Sequence, residues 1–525
     1  MDRFNPSRRG LVALGVASLI PRGVHAESSG PLARTRHGAV RGYADSAIKV
    51  FKGVRYGADT GPRRFRPPLP PTSWARTQEA TADGPASPQA GRAEEPQSED
   101  CLFLNVWTPG LADGGKRPVM VYLHGGAYAS GSGGSPLYDG ARLCRRGEVV
   151  VVTINHRLNV FGYGFLAKLA GPDFADSGNA GMLDIVLALR WVADNIAEFG
   201  GDPGRVMVFG QSGGGAKIAT LMAMPAAKGL FHTAATMSGQ QVTVSGPLHA
   251  TDRMALFLKT VGLSPDRAAE VATLPTARLI EGLAAVDPFT PGRLYFGPVL
   301  DQRSLARHPF YPDAHPQGLS IPMILGNTHD ETRAFLAGSK PDPFAMRWEE
   351  VAGRIATEMR VDIDPDHVVA AYRRIYPNYS PTDVFFAATT AGRSWRGQVI
   401  EAEERAKAGA PAYVYQLDLR TSAEGGRLGA PHAADIALAF DNLSAVGSPY
   451  AATPAHQRVA DQMSQAFIAL ARTGDPNTSA LPAWPRYELD RRATMIFDSE
   501  TKVVDDPRGD ERRLFEAVPY IQPGT

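Results

Sequence analysis

Val206-Met-Val-Phe-Gly-Gln-Ser-Gly-Gly214 joins an apolar run to a cluster of glycines around one serine. The apolar residues at 206–209 are typical of a strand that is buried on both faces of a parallel sheet. Glycines allow the sharp turn that follows, and the stretch from Ala216 to Met224 predicts a helix after the turn. The segment therefore predicts a strand, a tight turn and a helix, the repeating unit of α/β proteins.

The same alternation continues on both sides of this segment. Apolar runs at 119–124, 149–154, 322–326 and 412–419 predict further strands, and 179–199 has helical spacing and ends at a glycine pair and a proline. We therefore predict an α/β fold with a mostly parallel central sheet flanked by helices. The stretches 245–320 and 335–405 look helical and irregular, and we expect them to cover the carboxyl edge of the sheet.

The composition excludes several classes of protein. The 525 residues include 55 Lys+Arg and 54 Asp+Glu, so the net charge of +1 gives no basic footprint for nucleic acid or an anionic membrane. Hydrophobic residues make up 43% and charged residues 21%, the proportions of a globular protein rather than a disordered one. A loop-rich globular enzyme or binding protein remains.

The first 26 residues have the pattern of a bacterial export signal. Arg8-Arg9 precedes the apolar stretch Leu11–Ile20, and Val24-His25-Ala26 offers a cleavage site after Ala26. The paired arginines resemble a twin-arginine signal. We expect an exported protein, periplasmic or secreted, without a membrane span, because no later stretch is long and apolar enough to cross a bilayer.

Two cysteines, Cys101 and Cys144, cannot form a disulfide scaffold in a chain of this length. No Cys/His spacing typical of zinc occurs. We expect two buried, separate thiols.

Ser212 is the candidate nucleophile, because Gly210-Gln-Ser-Gly-Gly214 matches G-x-S-x-G at the end of a predicted strand. The turn lifts the serine hydroxyl above the sheet edge and aims a helix N-terminus at a developing oxyanion. A phosphate-binding turn is the alternative, although the phosphate-loop motif G-x-x-x-x-G-K-[ST] is absent.

His124-Gly-Gly-Ala-Tyr128 follows another predicted strand and is the candidate oxyanion loop. Small residues let backbone N–H groups approach a substrate oxygen closely, and one such donor contributes about 2.7–4 kcal/mol in the transition state. Gly213, the residue after the serine, should supply a further N–H. A merely flexible glycine loop is the alternative.

The general base and its acid partner should follow the serine in the order acid, then histidine. Among the histidines after Ser212, only His432 has a strand-like run before it and a helix-like run, Ala433–Phe440, after it. Asp330 and Glu331 follow the predicted strand 322–326, and the residues alone do not choose between them.

Motifs along nearly the whole chain resemble the type-B carboxylesterases, the family of the cholinesterases and para-nitrobenzyl esterases. They include Phe51–Tyr56, Ser98–Trp107, Asn155–Leu158, Phe199–Pro203, Phe209–Gly213, Phe296–Val299 and Gly326–Glu331. The resemblance implies an α/β-hydrolase fold over 27–525 as a single domain. It also implies Ser212 as nucleophile, His432 as base, Glu331 as acid, and the N–H groups of Gly126, Ala127 and Gly213 as the oxyanion hole.

Some positions depart from the usual family pattern. Gln211 replaces a glutamate before the serine, Gly213 replaces an alanine, Thr332 follows the acid, and Ala433 replaces a glycine after the histidine. The partner that forms a disulfide with the residue at Cys101 in the family's animal enzymes is missing. None of these changes removes a catalytic group.

The resemblance implies hydrolysis of a small-molecule carboxylic ester through an acyl-enzyme, with no metal or organic cofactor. Three alternatives would use the same scaffold. They are a non-catalytic binding protein, a lipase acting at a lipid surface, and an acyltransferase that uses an alcohol in place of water. The sequence does not select the acyl or alcohol group of the ester, or an oligomeric state.

Overall fold

The computed structural model describes residues 30–91, 95–290, 292–522 and 524. The predicted export signal at 1–26 lies outside these residues. The strands are β1 Leu32–Thr35, β2 Gly38–Arg41, β3 Tyr43–Asp45, β4 Ile48–Arg55, β5 Gln78–Glu79, β6 Phe103–Thr108, β7 Arg117–Leu123, β8 Val150–Ile154, β9 Gly201–Gln211, β10 Thr233–Met237, β11 Met323–Thr328, β12 Ala412–Leu417, β13 Ala493–Phe497 and β14 Lys502–Asp505.

The helices alternate with the strands in the central part of the chain. They are α1 Ala141–Gly147, α2 Asn159–Tyr163, α3 Ala180–Asn195, α4 Gly213–Leu221, α5 Pro247–Thr260, α6 Thr276–Gly282, α7 Arg333–Leu336, α8 Trp348–Glu358, α9 Pro365–Ile375, α10 Pro381–Thr390, α11 Arg396–Lys407, α12 Asp435–Ala439, α13 Pro454–Thr473 and α14 Gly509–Glu516. A π-helical turn, Ala391–Trp395, joins α10 to α11.

Eleven strands form one sheet in the order β14-β13-β12-β11-β10-β9-β7-β8-β6-β4-β3. The seven neighbouring strands β8, β7, β9, β10, β11, β12 and β13 pair in parallel. Antiparallel strands extend the sheet at both edges. A small second sheet contains β1, β2 and β5. The predicted α/β fold with a mostly parallel sheet is therefore confirmed.

Alternate side chains of the central strands pack into separate layers. On β7, Val119, Val121 and Leu123 join the apolar cluster that contains α3, whereas Met120 and Tyr122 join the cluster that contains α13. Because both faces are covered, these strands carry apolar side chains on both faces, as the sequence pattern indicated.

All five predicted strands are present, but some boundaries differ. The strand expected at 206–210 begins at Gly201, where it pairs with Arg117 of β7. The helix expected at 216–224 begins at Gly213, because one residue, Ser212, completes the turn. The helix expected at 179–199 ends as an α-helix at Asn195 and continues as a 3-10 turn.

The excursions are helical as expected. The first contains α5 and α6, and the second contains α8 to α11 with an apolar cluster of its own around Val351, Tyr372 and Phe385. Cys101 and Cys144 are buried and unpaired, which confirms that prediction. Across the described residues, no helix has the length and apolar character needed to span a membrane.

A buried ion pair ties the segment after β8 to α3. Arg157 donates to Asp184 from Nε at 2.8 Å, from a terminal guanidinium nitrogen at 2.6 Å and from its backbone N–H at 3.0 Å. Both side chains are almost completely buried. Burial raises the pKa of Asp184 although Arg157 lowers it, so the pair is held in a strongly desolvated site.

We expect Asp184→Ala to lower the free energy of unfolding by about 3–5 kcal/mol, because the substitution leaves the Arg157 charge buried without its partner. Urea unfolding monitored by circular dichroism measures this loss. Glu281→Ala, which breaks the exposed pair with Arg278, is the control and should leave the midpoint unchanged. Equal midpoints for both variants would contradict the prediction.

Candidate active site

Ser212 occupies a strained turn between β9 and α4. Its backbone has φ 56° and ψ −123°, a conformation that is costly for a residue with a side chain. The Ser212 N–H donates to the Met237 carbonyl at 2.8 Å and fixes the turn against β10. A Cβ at Gly214 would lie 1.9 Å from the Leu123 carbonyl oxygen, so only glycine lets the helix approach the sheet this closely.

Glu331 and His432 come together, although 101 residues separate them. His432 Nδ1 donates to Glu331 Oε2. The other carboxylate oxygen accepts hydrogen bonds from the Thr328 N–H at 2.9 Å and the Asn327 amide at 3.0 Å. Burial raises the pKa of Glu331, but His432 and the Thr328 N–H help to bring it below its ordinary value, so the carboxylate stays ionised.

Asp330, the second acid that the sequence left open, belongs to a different group of contacts. It faces Arg333 at 3.1 Å and accepts a hydrogen bond from the Ala430 N–H at 2.9 Å. Burial raises the pKa of Asp330, but His329, Ala430 and Arg333 lower it to about 2. Glu331 is therefore the carboxylate that meets the imidazole.

The remaining nitrogen of His432 contacts Gln211. The Gln211 amide lies 3.0 Å from His432 Nε2, and among the described residues no hydrogen bond joins the Ser212 hydroxyl to that ring. Because Glu331 only accepts and the amide nitrogen only donates, the ring carries its proton on Nδ1 and presents a lone pair on Nε2. Ser212 is the next residue along the chain, so this contact places the His432 ring beside the serine turn.

Phe335 covers the other side of the histidine. Its ring centroid lies 4.8 Å from that of His432, and half of the residue is exposed. His124 precedes Ser212, so the expected order of serine, acid and histidine excludes it as the base. It is fully buried and stacked on His156, and burial lowers its pKa to about 3.

The predicted oxyanion donors lie beside Ser212. Ala127 and Gly213 line the same cavity as the serine, and Gly126 precedes them in a turn with φ 82°. No described residue accepts a hydrogen bond from the N–H groups of Gly126, Ala127 or Gly213, which leaves all three available to a substrate oxygen. A Cβ at Gly213 would lie 2.0 Å from the Ala127 carbonyl oxygen. Glycine at position 213, where the family usually has alanine, therefore lets the backbone of Gly213 approach the Ala127 carbonyl.

Lys217 supports the oxyanion loop through hydrogen bonds, a role that the sequence analysis did not predict. Its ammonium donates to the carbonyl oxygens of Ala127 at 2.8 Å and His124 at 3.1 Å. The groups that face it are His124, His156 and the ring of Tyr128, and no carboxylate of the described residues pairs with it. Burial lowers the pKa of Lys217 to about 7. Lys217 is the one charged residue in the stretch 206–227, and this isolation in an apolar segment could have indicated a special role.

A serine elbow on a parallel sheet, with a histidine–carboxylate pair beside it, defines a serine hydrolase of the α/β-hydrolase class. The sequence profile of the carboxylesterase family matches residues 29–514. The chain is 34% identical to the para-nitrobenzyl esterase of Bacillus subtilis, over 91% of this chain and 97% of that protein. It is 32% identical to the phenmedipham hydrolase of Pseudarthrobacter oxydans, over 90% and 95%.

Solved structures agree with these sequence matches. A carboxylesterase from Geobacillus stearothermophilus superimposes with a TM-score of 0.83 and 36% identity, covering 92% of this chain and 99% of that one. A para-nitrobenzyl esterase structure gives a TM-score of 0.77 at 32% identity, with the same coverage. The chain belongs to the carboxylesterase family and is a carboxylic ester hydrolase with the α/β-hydrolase fold.

We expect the stability difference between the wild type and Lys217→Met to depend on pH. Between about pH 7 and the ordinary lysine value of 10.5, the unfolded chain keeps the Lys217 proton and the folded chain loses it. The free energy of unfolding therefore rises with pH in this window, by up to about 1.4 kcal/mol per pH unit. Below pH 7 both states are protonated and the full cost of burying the charge remains.

Chemical denaturation of both proteins at several pH values between 6 and 10 measures this difference, and the subtraction removes the effect of other titrating groups. Lys228→Met removes an exposed lysine and should give a difference that does not change with pH. A flat difference for Lys217→Met as well would mean that the buried ammonium does not titrate here.

Proposed function

We propose that the protein hydrolyses carboxylic esters through an acyl-enzyme on Ser212. His432 is the general base and acid, and Glu331 is the carboxylate that orients it. The hydrogen bond from His432 Nδ1 to the buried Glu331 carries the proposal, because it leaves Nε2 as a proton acceptor beside the serine turn. The family and the names of its relatives support ester hydrolysis itself.

Acylation starts when Ser212 Oγ attacks the ester carbonyl carbon and His432 Nε2 takes the hydroxyl proton. The carbonyl electron pair moves to oxygen, and the N–H groups of Gly126, Ala127 and Gly213 hold the oxyanion. When the carbonyl reforms, the bond to the alcohol oxygen breaks and His432 returns the proton to the leaving alcohol. Water then repeats the sequence on the acyl-enzyme and releases the acid.

Gln211 must give way in this mechanism. The Gln211 amide donates to His432 Nε2, the same atom that must accept the Ser212 proton. This hydrogen bond therefore belongs to the resting site and must break before the reaction. Hydrogen bonds of catalytic groups are often incomplete before substrate binds.

Ser212→Ala and His432→Ala should each lower kcat for a para-nitrophenyl ester by about 10⁴-fold or more, because each removes a group that acts on the reacting atoms. Ser212→Ala should also abolish labelling by a fluorophosphonate probe. Initial rates and labelling in gel measure the two effects.

Ser499→Ala and His367→Ala, two exposed positions outside the triad, are the matched controls and should keep normal turnover. Ordinary turnover by Ser212→Ala would refute the proposal, and a wild type that the probe does not label would favour a non-catalytic binding protein. Product analysis with added alcohol detects acyl transfer, and a rate increase above the micellar concentration of a long-chain ester detects a lipase.

We also propose that the enzyme is exported from a bacterial cell, with residues 1–26 as a twin-arginine-like signal and 27–525 as the mature single domain. The arginine pair at 8–9 and the apolar stretch that follows support this proposal. Expression in a bacterium with a twin-arginine system should yield extracytoplasmic protein that begins at Glu27, and Arg8→Lys with Arg9→Lys should keep the uncleaved protein inside. An N-terminus at Met1 outside the cell would contradict it.

A further inference from the structure

A cavity of about 230 Å³ opens beside Ser212. Its wall contains the oxyanion residues Ala127 and Gly213, the second excursion contributes Arg360, and Tyr295 comes from the first. This volume is below the range of pockets that hold drug-sized ligands, so the cavity suits a short chemical group attached to the reacting carbonyl.

Arg360 brings a positive charge into this cavity without a partner. Its side chain forms no hydrogen bond or ion pair with any residue that the structure describes, and none of the residues lining the cavity is acidic. Its backbone is nevertheless fixed, because its N–H donates to the Gly392 carbonyl at 3.2 Å and its carbonyl accepts from the Ile521 N–H at 3.1 Å. Arg360 is half-buried and lines the cavity, so a fixed backbone holds this charged residue in the cavity wall.

The nearby carboxylate of Glu358 is already used. Glu358 pairs with Arg393 at 3.0 Å, and Arg393 lies over the ring of Phe335. Burial lowers the pKa of Arg393, and repulsion from Arg360 lowers it further. The Glu358 carboxylate therefore pairs with Arg393 and not with Arg360, which leaves the positive charge of Arg360 unbalanced in the cavity.

A carboxylate is the anion that best matches this arrangement. A guanidinium presents two parallel N–H groups to the two oxygens of a carboxylate, and this pairing strengthens when both groups leave bulk water. The other polar groups of the cavity, which include Tyr295 and Gln240, are uncharged at neutral pH. They add hydrogen-bonding capacity without neutralising Arg360.

The cavity is placed to receive the acyl group rather than the alcohol. The leaving alcohol must be within reach of His432, which donates its proton, and His432 does not line the cavity. The cavity does contain Ser212, Ala127 and Gly213, which surround the carbonyl carbon and its oxygen. The remaining substituent of that carbon is the acyl chain.

We propose that Arg360 determines substrate specificity and that the preferred substrates are monoesters of short dicarboxylic acids, whose free carboxylate pairs with Arg360 in the acyl cavity. This inference rests on the proposed function, since it requires an acyl group on Ser212.

The test compares two activated esters that differ only in the terminal group of the acyl chain. They are the para-nitrophenyl monoester of glutaric acid, which carries a carboxylate, and para-nitrophenyl valerate, which carries a methyl group. We expect the wild type to have a kcat/KM at least tenfold higher for the glutarate ester. Arg360→Met should lower the ratio of the two kcat/KM values by about 10–100-fold, whereas Arg360→Lys should lower it less.

Arg374→Met, which removes an exposed arginine of α9, is the control and should leave the ratio unchanged. A wild-type preference for valerate, or an equal loss for both esters in Arg360→Met, would overturn the proposal. Hydrolysis of both esters that survives Ser212→Ala would instead overturn the proposed function, so the two failures are distinguishable.

Discussion

The left-handed backbone of Ser212 is the constraint on which the rest of the site depends. A residue with a side chain adopts φ 56° only when its surroundings hold it there. Here the hydrogen bond to Met237 and the close approach of Gly214 to Leu123 supply that hold. The strained turn has a functional consequence, because it exposes the serine hydroxyl and directs the first N–H of α4 toward the substrate oxygen.

Around this turn, a negative group lies beside the histidine and positive groups lie beside the substrate oxygen. Glu331 is the buried negative group, and it stabilises positive charge on His432. On the other side, the ammonium of Lys217 lies beneath the oxyanion loop and the guanidinium of Arg360 faces the cavity. Negative charge that develops on the substrate oxygen therefore meets positive groups. Because both cations are partly or fully removed from water, their effect is stronger than at the surface.

The elements that were predicted correctly are those with strong local patterns. The apolar runs of β7, β8, β9, β11 and β12 identified these strands, and the G-x-S-x-G spacing identified the turn. The strand β10, Thr233–Met237, was missed because its alanines and threonines carry little hydrophobic signal. The start of α4 was placed three residues late because glycines discourage a helix in sequence terms.

Some contacts between distant residues could be predicted from the sequence, and others could not. Chain order and loop placement were enough to select His432, and they left Asp330 and Glu331 equivalent, because adjacent carboxylates differ only in where each side chain points. Gln211 was recognised as a departure from the family, but its contact with His432 depends on how β9 and the loop before α12 meet.

By itself, the sequence determined the α/β class, the position of the serine turn and the family of the enzyme, since these follow from local periodicity and short motifs. The tertiary structure decided which carboxylate meets the imidazole, which lysine supports the oxyanion loop and which arginine faces the acyl cavity. These are decided by contacts between segments far apart in the chain, and their energies depend on burial and distance that no local pattern encodes.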